Sequence, residues 1–267
     1  MKVLLTGASG KIASALTELP FDWILSDIKA NENSKHPFIK ADLSIKGDCQ
    51  KICADVEAIV HLGGSSSTES TWDEVLNNNI CGTKNLFDAA LEKGVRRIIY
   101  ASSNHVMGGY EKKYEAFYHS EVIKTDPLKG NHLFWPDSFY GVSKLFGEGL
   151  GRYYHSWFGL EFISLRLGSV LDPDHDHPYG YADIRKEELQ GYIKEEEYNA
   201  LVNRLRATWL SRRDFKDLVK KALEADVKFG IYNGLSANNR RWFDLKEATE
   251  ELGYKPQDNG EIYIRKA

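Results

Sequence analysis

"KVLLTGASGKIASALTELPFDWILSD", residues 2–27, decides the fold. An apolar run (2–7) stops at glycine, helical periodicity is predicted over about 10–19, and a second apolar run (22–27) ends on Asp27. Strand, glycine turn, helix and strand form the opening unit of a parallel sheet that binds a nucleotide. In "TGASGKIA" (6–13), Gly7 and Gly10 close the strand and open the helix, with the small Ala13 next on that helix. A helix N-terminus offers unpaired N–H groups and the positive end of a dipole, which suits a pyrophosphate. A Cβ at the glycines would keep the backbone away from that ligand. Asp27 is placed to accept hydrogen bonds from an adenosine ribose, and Asp42, after the third strand, to meet the adenine edge. The carboxylate at 27 repels a 2′-phosphate and no arginine follows it closely, so NAD is expected rather than NADP.

Outward from this unit the alternation continues. Strands are predicted at 37–43, 58–64, 95–103 and 161–170, and helices at 47–55 and 71–94, with a further helix running to about 158. The fold class expected is α/β, a Rossmann-type doubly wound parallel sheet with helices on both faces. Past residue 170 the pattern changes to a polar loop (172–183), a charged helix (186–206), a helix (212–226), a strand (229–236) and a terminal helix near 245–252. Residues 1–170 are therefore expected to form the cofactor-binding part. Residues 171–267 form a small, mostly helical substrate cap, with the last strand and helix packing back on the core.

The bulk properties narrow the class. The chain has 267 residues, 42% of them hydrophobic and 28% charged, the profile of an ordinary soluble globule. A net charge of −4 gives no footing for nucleic acid, and the short basic clusters "NRLR" (203–206) and "SRRD" (211–214) suit one small anion better than a polymer. Cys49, Cys53 and Cys81 fit neither a disulfide framework nor a zinc site. Cys49 and Cys53 are expected one helical turn apart, reduced and half-buried. The N-terminus does not resemble a signal peptide, and no apolar run approaches the ~18 residues needed to span a bilayer, so a cytoplasmic location is expected.

Three stretches carry chemistry. "HLGG" (61–64) falls where the fourth strand ends, at the sheet edge where ligands bind, and Gly63 and Gly64 would let a cofactor lie against backbone. His61 is expected as a packed core residue. The fifth strand ends in "YASSNHVMGG" (100–109), which brings Ser102, Ser103, Asn104 and His105 to the same edge. In "SFYGVSKLFGEG" (138–149), Tyr140 and Lys144 stand four apart and share one helix face. Such a pair alone is commonly a surface tyrosine lying along a lysine stem. With the glycine turn upstream it reads as catalytic: Ser103 orients a substrate hydroxyl, Tyr140 takes its proton and Lys144 stabilises the phenolate. A free tyrosine titrates near ~10, so neutral operation needs a drop of about 2–3 units, roughly 3–4 kcal/mol. One close lysine and the positive nicotinamide of an oxidised cofactor are expected to supply it.

Together "TGASGKIA", "HLGG", "NNNICGT", "ASSNHVMG" and "YGVSK" resemble the extended short-chain dehydrogenase/reductases. More narrowly, "IVHLGG", "ASSNH", "FYGVSKLFGE", "LRLGS" and "TWLSRRDF" are similar to NAD-dependent uronate dehydrogenases. "GRYYH", the "WLSRRDF" context and "LGYKPQDN" (252–259) resemble the related archaeal-type NAD-dependent glucose-6-phosphate dehydrogenases. The resemblance implies hydride transfer from the anomeric carbon of a pyranose to NAD, giving a lactone. It implies a catalytic set of Ser103, Tyr140 and Lys144. Cofactor contacts follow at Gly7, Ser9, Gly10, Lys11, Ile12, Asp27, Asp42, Leu43, Leu62, Gly63, Gly64, Asn79, Tyr140 and Lys144. Substrate contacts follow at Ser66, Ser103, Asn104, His105, Tyr140, Ser169 and Arg204. Arg204 would hold the anionic end of the sugar, with Arg206 as its rival. A guanidinium fork grips a carboxylate or a phosphate equally well, so a hexuronate and a hexose 6-phosphate both stay open. The chain departs from uronate dehydrogenases by insertions at about 111–137 and 172–203, both flanking the expected substrate pocket.

Other readings stay open at this point. A nucleotide-sugar epimerase or dehydratase would use the same Tyr/Lys pair, although the short cap leaves little room for a nucleoside diphosphate. An NAD-sensing protein without catalysis is the alternative outside enzymes. "DPDHDHP" (172–178) has Asp and His at metal-like density, yet alternating residues in a loop more often form a solvated surface, and no metal is expected. The charged stretch 186–206 reads as the solvated face of a lid, or as a partner-binding helix. The expected partner is a small anionic sugar, with no nucleic acid or membrane and with homo-oligomerisation left open.

Overall fold

The computed structural model describes residues 1–30, 34–114 and 133–263. Most of the inserted stretch expected at 111–137 lies outside the described residues. Seven parallel strands form one sheet in the order β3-β2-β1-β4-β5-β6-β7: β1 Lys2–Thr6, β2 Asp22–Asp27, β3 Phe38–Lys40, β4 Ala58–His61, β5 Arg97–Ser103, β6 Glu161–Leu167 and β7 Phe229–Gly234. The order reverses between β1 and β4, which pair in register from Val3 with Ala58 to Thr6 with His61. Crevices outside the C-terminal strand ends at such a reversal are where ligands bind in open α/β sheets. The sheet expected from the sequence is therefore the sheet found.

Alternate side chains feed two cores, because successive strand residues point to opposite faces. Val3, Leu5, Val60, Ile99 and Leu165 pack on one face with Phe215 and Leu218 of helix α8 (Arg212–Glu224) and Leu252 of α9 (Lys246–Leu252). Leu4, Ile59, Ile98 and Phe162 pack on the other with Cys49 and Ile52 of α1 (Lys46–Ile52) and Leu86 and Phe87 of α3 (Gly82–Glu92). Cys49 and Cys53 are fully buried free thiols rather than half-buried ones, and burial pushes both up to about 12. α8 ends against Arg97, whose guanidinium donates to the carbonyls of Ala222, Leu223, Ala225 and Val227. A cation there suits the negative end of the helix dipole.

Two of the predicted helices on the cavity side of the fold take a different form. The helix predicted over 10–19 is a run of tight turns with one 3-10 turn at Ala13–Ala15, held by i→i−3 bonds such as Leu16 N to Ala13 O at 2.9 Å. Only residues 7–21 join β1 to β2. A 3-10 rise of about 2.0 Å per residue returns the chain along the strand in fewer residues than the α-helical ~1.5 Å. Pro20 then ends the run. The charged helix predicted over 186–206 is two helices, α6 (Gly180–Glu188) and α7 (Glu195–Thr208), and α6 begins inside the loop expected at 172–183. Gln190 and Gly191 take positive φ values of 53° and 94°, and Gly191 N reaches back to Lys186 O at 2.8 Å, a left-handed helix stop. Glu195, Glu196 and Glu197 then occupy the first turn of α7, where carboxylates are favoured.

Candidate active site

The helix bearing the Tyr/Lys pair is α5 (Phe139–Phe158). Ser138 caps it by accepting from Gly141 N at 3.1 Å, and Gly159 ends it at φ 74°. Gly141 has a steric reason: a Cβ there would lie 2.5 Å from His105 O, so only glycine lets α5 rest on the turn after β5. That turn (Asn104–Met107) is capped by Ser103, whose Oγ accepts from His105 N at 3.2 Å and donates to Asn104 Oδ1 at 3.3 Å. The close approach sets Ser103 and Tyr140 on the same stretch of the cavity wall, where the serine hydroxyl favours the phenolate.

Lys144 is 5% exposed, with Nζ 5.6 Å from the Tyr140 ring centre and 5.0 Å from that of Tyr100. Burial lowers its amine to about 8. Burial also pushes the Tyr140 phenol up to about 12, overriding the Ser103 hydrogen bond that pulls it down, and Tyr181 and Asp137 add to the rise. The direction is opposite to the depression expected from Lys144. The low-dielectric setting that makes a charge effective here also penalises the phenolate.

A cavity of about 1000 Å³ runs along the C-terminal edge of the sheet. At one end its wall includes Gly7, Gly10, Lys11, Ile12, Asp27, Asp42, Leu43, Leu62, Gly63 and Gly64, all expected to meet the cofactor. At the other end stand Ser66, Ser103, Asn104, His105, Tyr140, Lys144, Ser169 and Arg204. The dinucleotide fits this cradle on steric grounds. Gly7 has φ +71°, and a Cβ there would meet Gly63 N at 2.7 Å, so the β1 and β4 loops touch backbone to backbone beside the cavity. Asp27 is held in place, its Oδ2 accepting from Ser9 N at 3.1 Å and its Oδ1 from Lys29 N at 3.0 Å.

Ser9 and Asn79 do not reach the wall. Ser9 braces Asp27 from behind, with its Oγ on Lys29 O. Asn79 is buried in a π-helical segment (Val75–Cys81) that interrupts the expected 71–94 helix between α2 (Trp72–Glu74) and α3. It donates to Ser65 O and to Ser143 Oγ and accepts from Ser65 N at 2.7 Å, tying the β4 loop to α5. Asn78, one residue earlier, faces the cavity instead. A wide turn amid good helix periodicity leaves little trace in sequence, apart from the run of three asparagines. His61 is the packed core residue expected. It lies between Thr6 and Thr83 with its ring at hydrogen-bond distance from both hydroxyls, and burial, aided by Lys144, drives it down to about 3.

The basic clusters all have partners within the chain. Arg204 is paired with Glu111, and Arg206 donates to Tyr179 away from the cavity wall, which disfavours it as rival to Arg204. Arg212 donates to Lys11 O, Leu171 O and Ser14 Oγ, and Arg213 pairs with Asp258. In the 172–178 loop, Asp172 holds His175, while Asp176 accepts from Trp209 Nε1 and Arg212 N. Sequence reasoning passed over Tyr181, Arg185, Glu188 and Glu197, which α6 and α7 bring to the wall. Their placement depends on the helix stop at Gln190–Gly191.

The model of the NAD dependent epimerase/dehydratase family matches residues 3–233. The chain belongs to that family. Within it, the chain is 34% identical to an NAD-dependent glucose-6-phosphate dehydrogenase from Haloferax volcanii, over 96% of this chain and 93% of the relative. It is 30% identical to an L-arabinose 1-dehydrogenase (NAD(P)(+)) from the same organism, over 98% and 99%. A crystal structure of a mutant uronate dehydrogenase from Agrobacterium tumefaciens, complexed with NAD, superposes with a TM-score of 0.78 at 30% identity, covering 97% of this chain and 86% of that one. No helix among the described residues is long and apolar enough to cross a membrane.

Proposed function

We propose that the protein is an NAD-dependent dehydrogenase that oxidises C1 of a small anionic aldose, a hexuronate or a hexose 6-phosphate, to the lactone. The observation that carries this reading is one cavity with Ser103, Tyr140 and Lys144 at one end and the Gly7 turn and Asp27 at the other. The names of the similar dehydrogenases support the reaction class. Residues 1–170 are assigned to the cofactor and 171–267 to the cap over the sugar. The buried thiols of Cys49 and Cys53 support a cytoplasmic setting, where thiols stay reduced.

NAD, when bound, accepts the C1 hydride. The chain's own residues handle the proton and the orientation. Ser103 holds the C1 hydroxyl against Tyr140, whose phenolate takes the hydroxyl proton as the C1–O bond becomes the lactone carbonyl. Lys144, one helical turn away, stabilises the phenolate electrostatically. Asn104, His105 and Ser169 meet the remaining hydroxyls, and Asp137 accepts from His105 at 2.7 Å to fix its ring. Asp27 selects the adenosine ribose. Asn79 positions both the cofactor loop and α5 without touching either ligand.

The test is NADH absorbance with purified protein and NAD against glucuronate, galacturonate, glucose 6-phosphate and UDP-glucose, each alone. Turnover with a uronate or with the sugar phosphate supports the reading and selects the anion. Turnover with none of them overturns it and favours an epimerase or an NAD sensor.

A further inference from the structure

Arg204, expected to grip the sugar's anion, is engaged by a carboxylate of the chain itself. Its Nε donates to one oxygen of Glu111 and its Nη2 to the other, the latter at 3.1 Å. This is the two-bond fork by which a guanidinium holds a carboxylate or a phosphate, so Glu111 takes donors a substrate anion would use. The two side chains are 24% and 17% exposed, which shields the pair from full screening by water. Glu111 lies in α4 (Gly109–Tyr114), near the start of the stretch, about 111–137, expected from the sequence to be inserted relative to uronate dehydrogenases. Nearby on the wall, Arg185 donates to Glu188 and Glu197. Among the described residues, both arginines on this part of the wall are thus engaged by carboxylates of the chain itself.

We propose that Glu111 is a specificity-determining residue that competes with the sugar's anionic group for Arg204. An anionic sugar binds with the pair opened, whereas a neutral aldose leaves it closed and can donate its hydroxyls to the Glu111 carboxylate. The site then admits neutral aldoses beside anionic ones. This rests on the aldose dehydrogenase reading above. If the pair is closed in nine molecules of ten, apparent affinity for the anion falls about tenfold, since only the open fraction is competent.

The experiment compares kcat/KM for glucose 6-phosphate with kcat/KM for glucose in the wild type, Glu111→Gln, Arg204→Gln and the double variant. Glu111→Gln is expected to raise that ratio about tenfold, equivalent to ~1.4 kcal/mol, through the KM for the phosphate. In the Arg204→Gln background the same change should leave the ratio where it was. An unchanged or falling ratio in a folded Glu111→Gln protein overturns the proposal, because Glu111 would then only support Arg204. Glu111→Ser serves as the second variant. A chain that folds only with the carboxylate in place makes the pair structural and overturns it too. Should the wild type turn over neither sugar, the dehydrogenase reading fails separately. Calorimetric titration of NAD-loaded wild type and Glu111→Gln with glucose 6-phosphate then decides: tighter binding by the variant upholds the competition, and equal or weaker binding sinks it.

Discussion

Glu148 and Arg166 form a two-bond ion pair, at 2.9 and 2.8 Å, with side chains only 2% and 0% exposed. Glu148 lies one helical turn beyond Lys144 on α5 and Arg166 lies on β6, while Ser102 of β5 donates to the same carboxylate at 2.7 Å. The pair therefore anchors the helix that carries Tyr140 and Lys144 to two strands. Removing one partner of a buried pair strands the other charge, so Arg166→Met should cost about 3–5 kcal/mol in denaturant unfolding. Replacing both residues with apolar ones should recover most of that loss. A single-variant loss below about 1 kcal/mol, the range of exposed pairs, would show that the pair is not an anchor.

Tyr140→Phe keeps the ring that packs beside Lys144 and His105 and removes only the oxygen. Turnover should vanish, while NAD affinity by fluorescence titration stays within a few-fold of wild type. A variant retaining a tenth or more of the wild-type kcat would remove Tyr140 from the role of base.

Lys144→Met separates stability from catalysis. Burial lowers the folded-state amine from 10.5 to about 8, so between those values the unfolded chain binds a proton that the folded chain has released. Stability from this group therefore rises with pH across that window, and the cost of burying the charge is fully present below 8. At 1.36 kcal/mol per unit the cost is about 3 kcal/mol. Lys144→Met should be more stable than wild type at pH 7, with the gap closing towards pH 10, while kcat falls by at least about 100-fold. Chemical denaturation at the two pH values reads the first effect. A gap that does not narrow would mean the lysine is not held as a strained cation.

The sheet was legible because its strands are short apolar runs punctuated by glycines, and buried parallel strands need that composition. Gly7, Asp27, Ser103, Tyr140 and Lys144 were legible because each sits at a strand end or on one helix face, positions that topology alone brings together. Three features depend on local geometry that residue periodicity does not encode. The 3-10 turn at Ala13–Ala15 follows from the short span between β1 and β2. The π-helical turn swaps Asn78 for Asn79 at the cavity wall. The Glu111–Arg204 pair joins positions far apart in sequence, so spacing could not reveal it, and it changes what the arginine can do. The Tyr140 phenol likewise depends on burial, which a helix-face argument does not weigh.

Asp27 offers the sharpest test of the cofactor end. Backbone N–H groups of Ser9 and Lys29 hold its two oxygens, which orients the carboxylate on the cavity wall beside Ile28. A carboxylate accepts from both ribose hydroxyls and repels a 2′-phosphate. Asp27→Ala should weaken NAD and lower the NAD-to-NADP ratio of kcat/KM by at least about tenfold, or ~1.4 kcal/mol. Asp27→Asn divides the effect, since the amide keeps one acceptor and loses the charge. If Asp27→Asn accepts NADP as readily as Asp27→Ala does, repulsion of the phosphate sets the preference. If it still rejects NADP, the preference arises from shape at the β2 end, and the electrostatic role given to Asp27 is wrong.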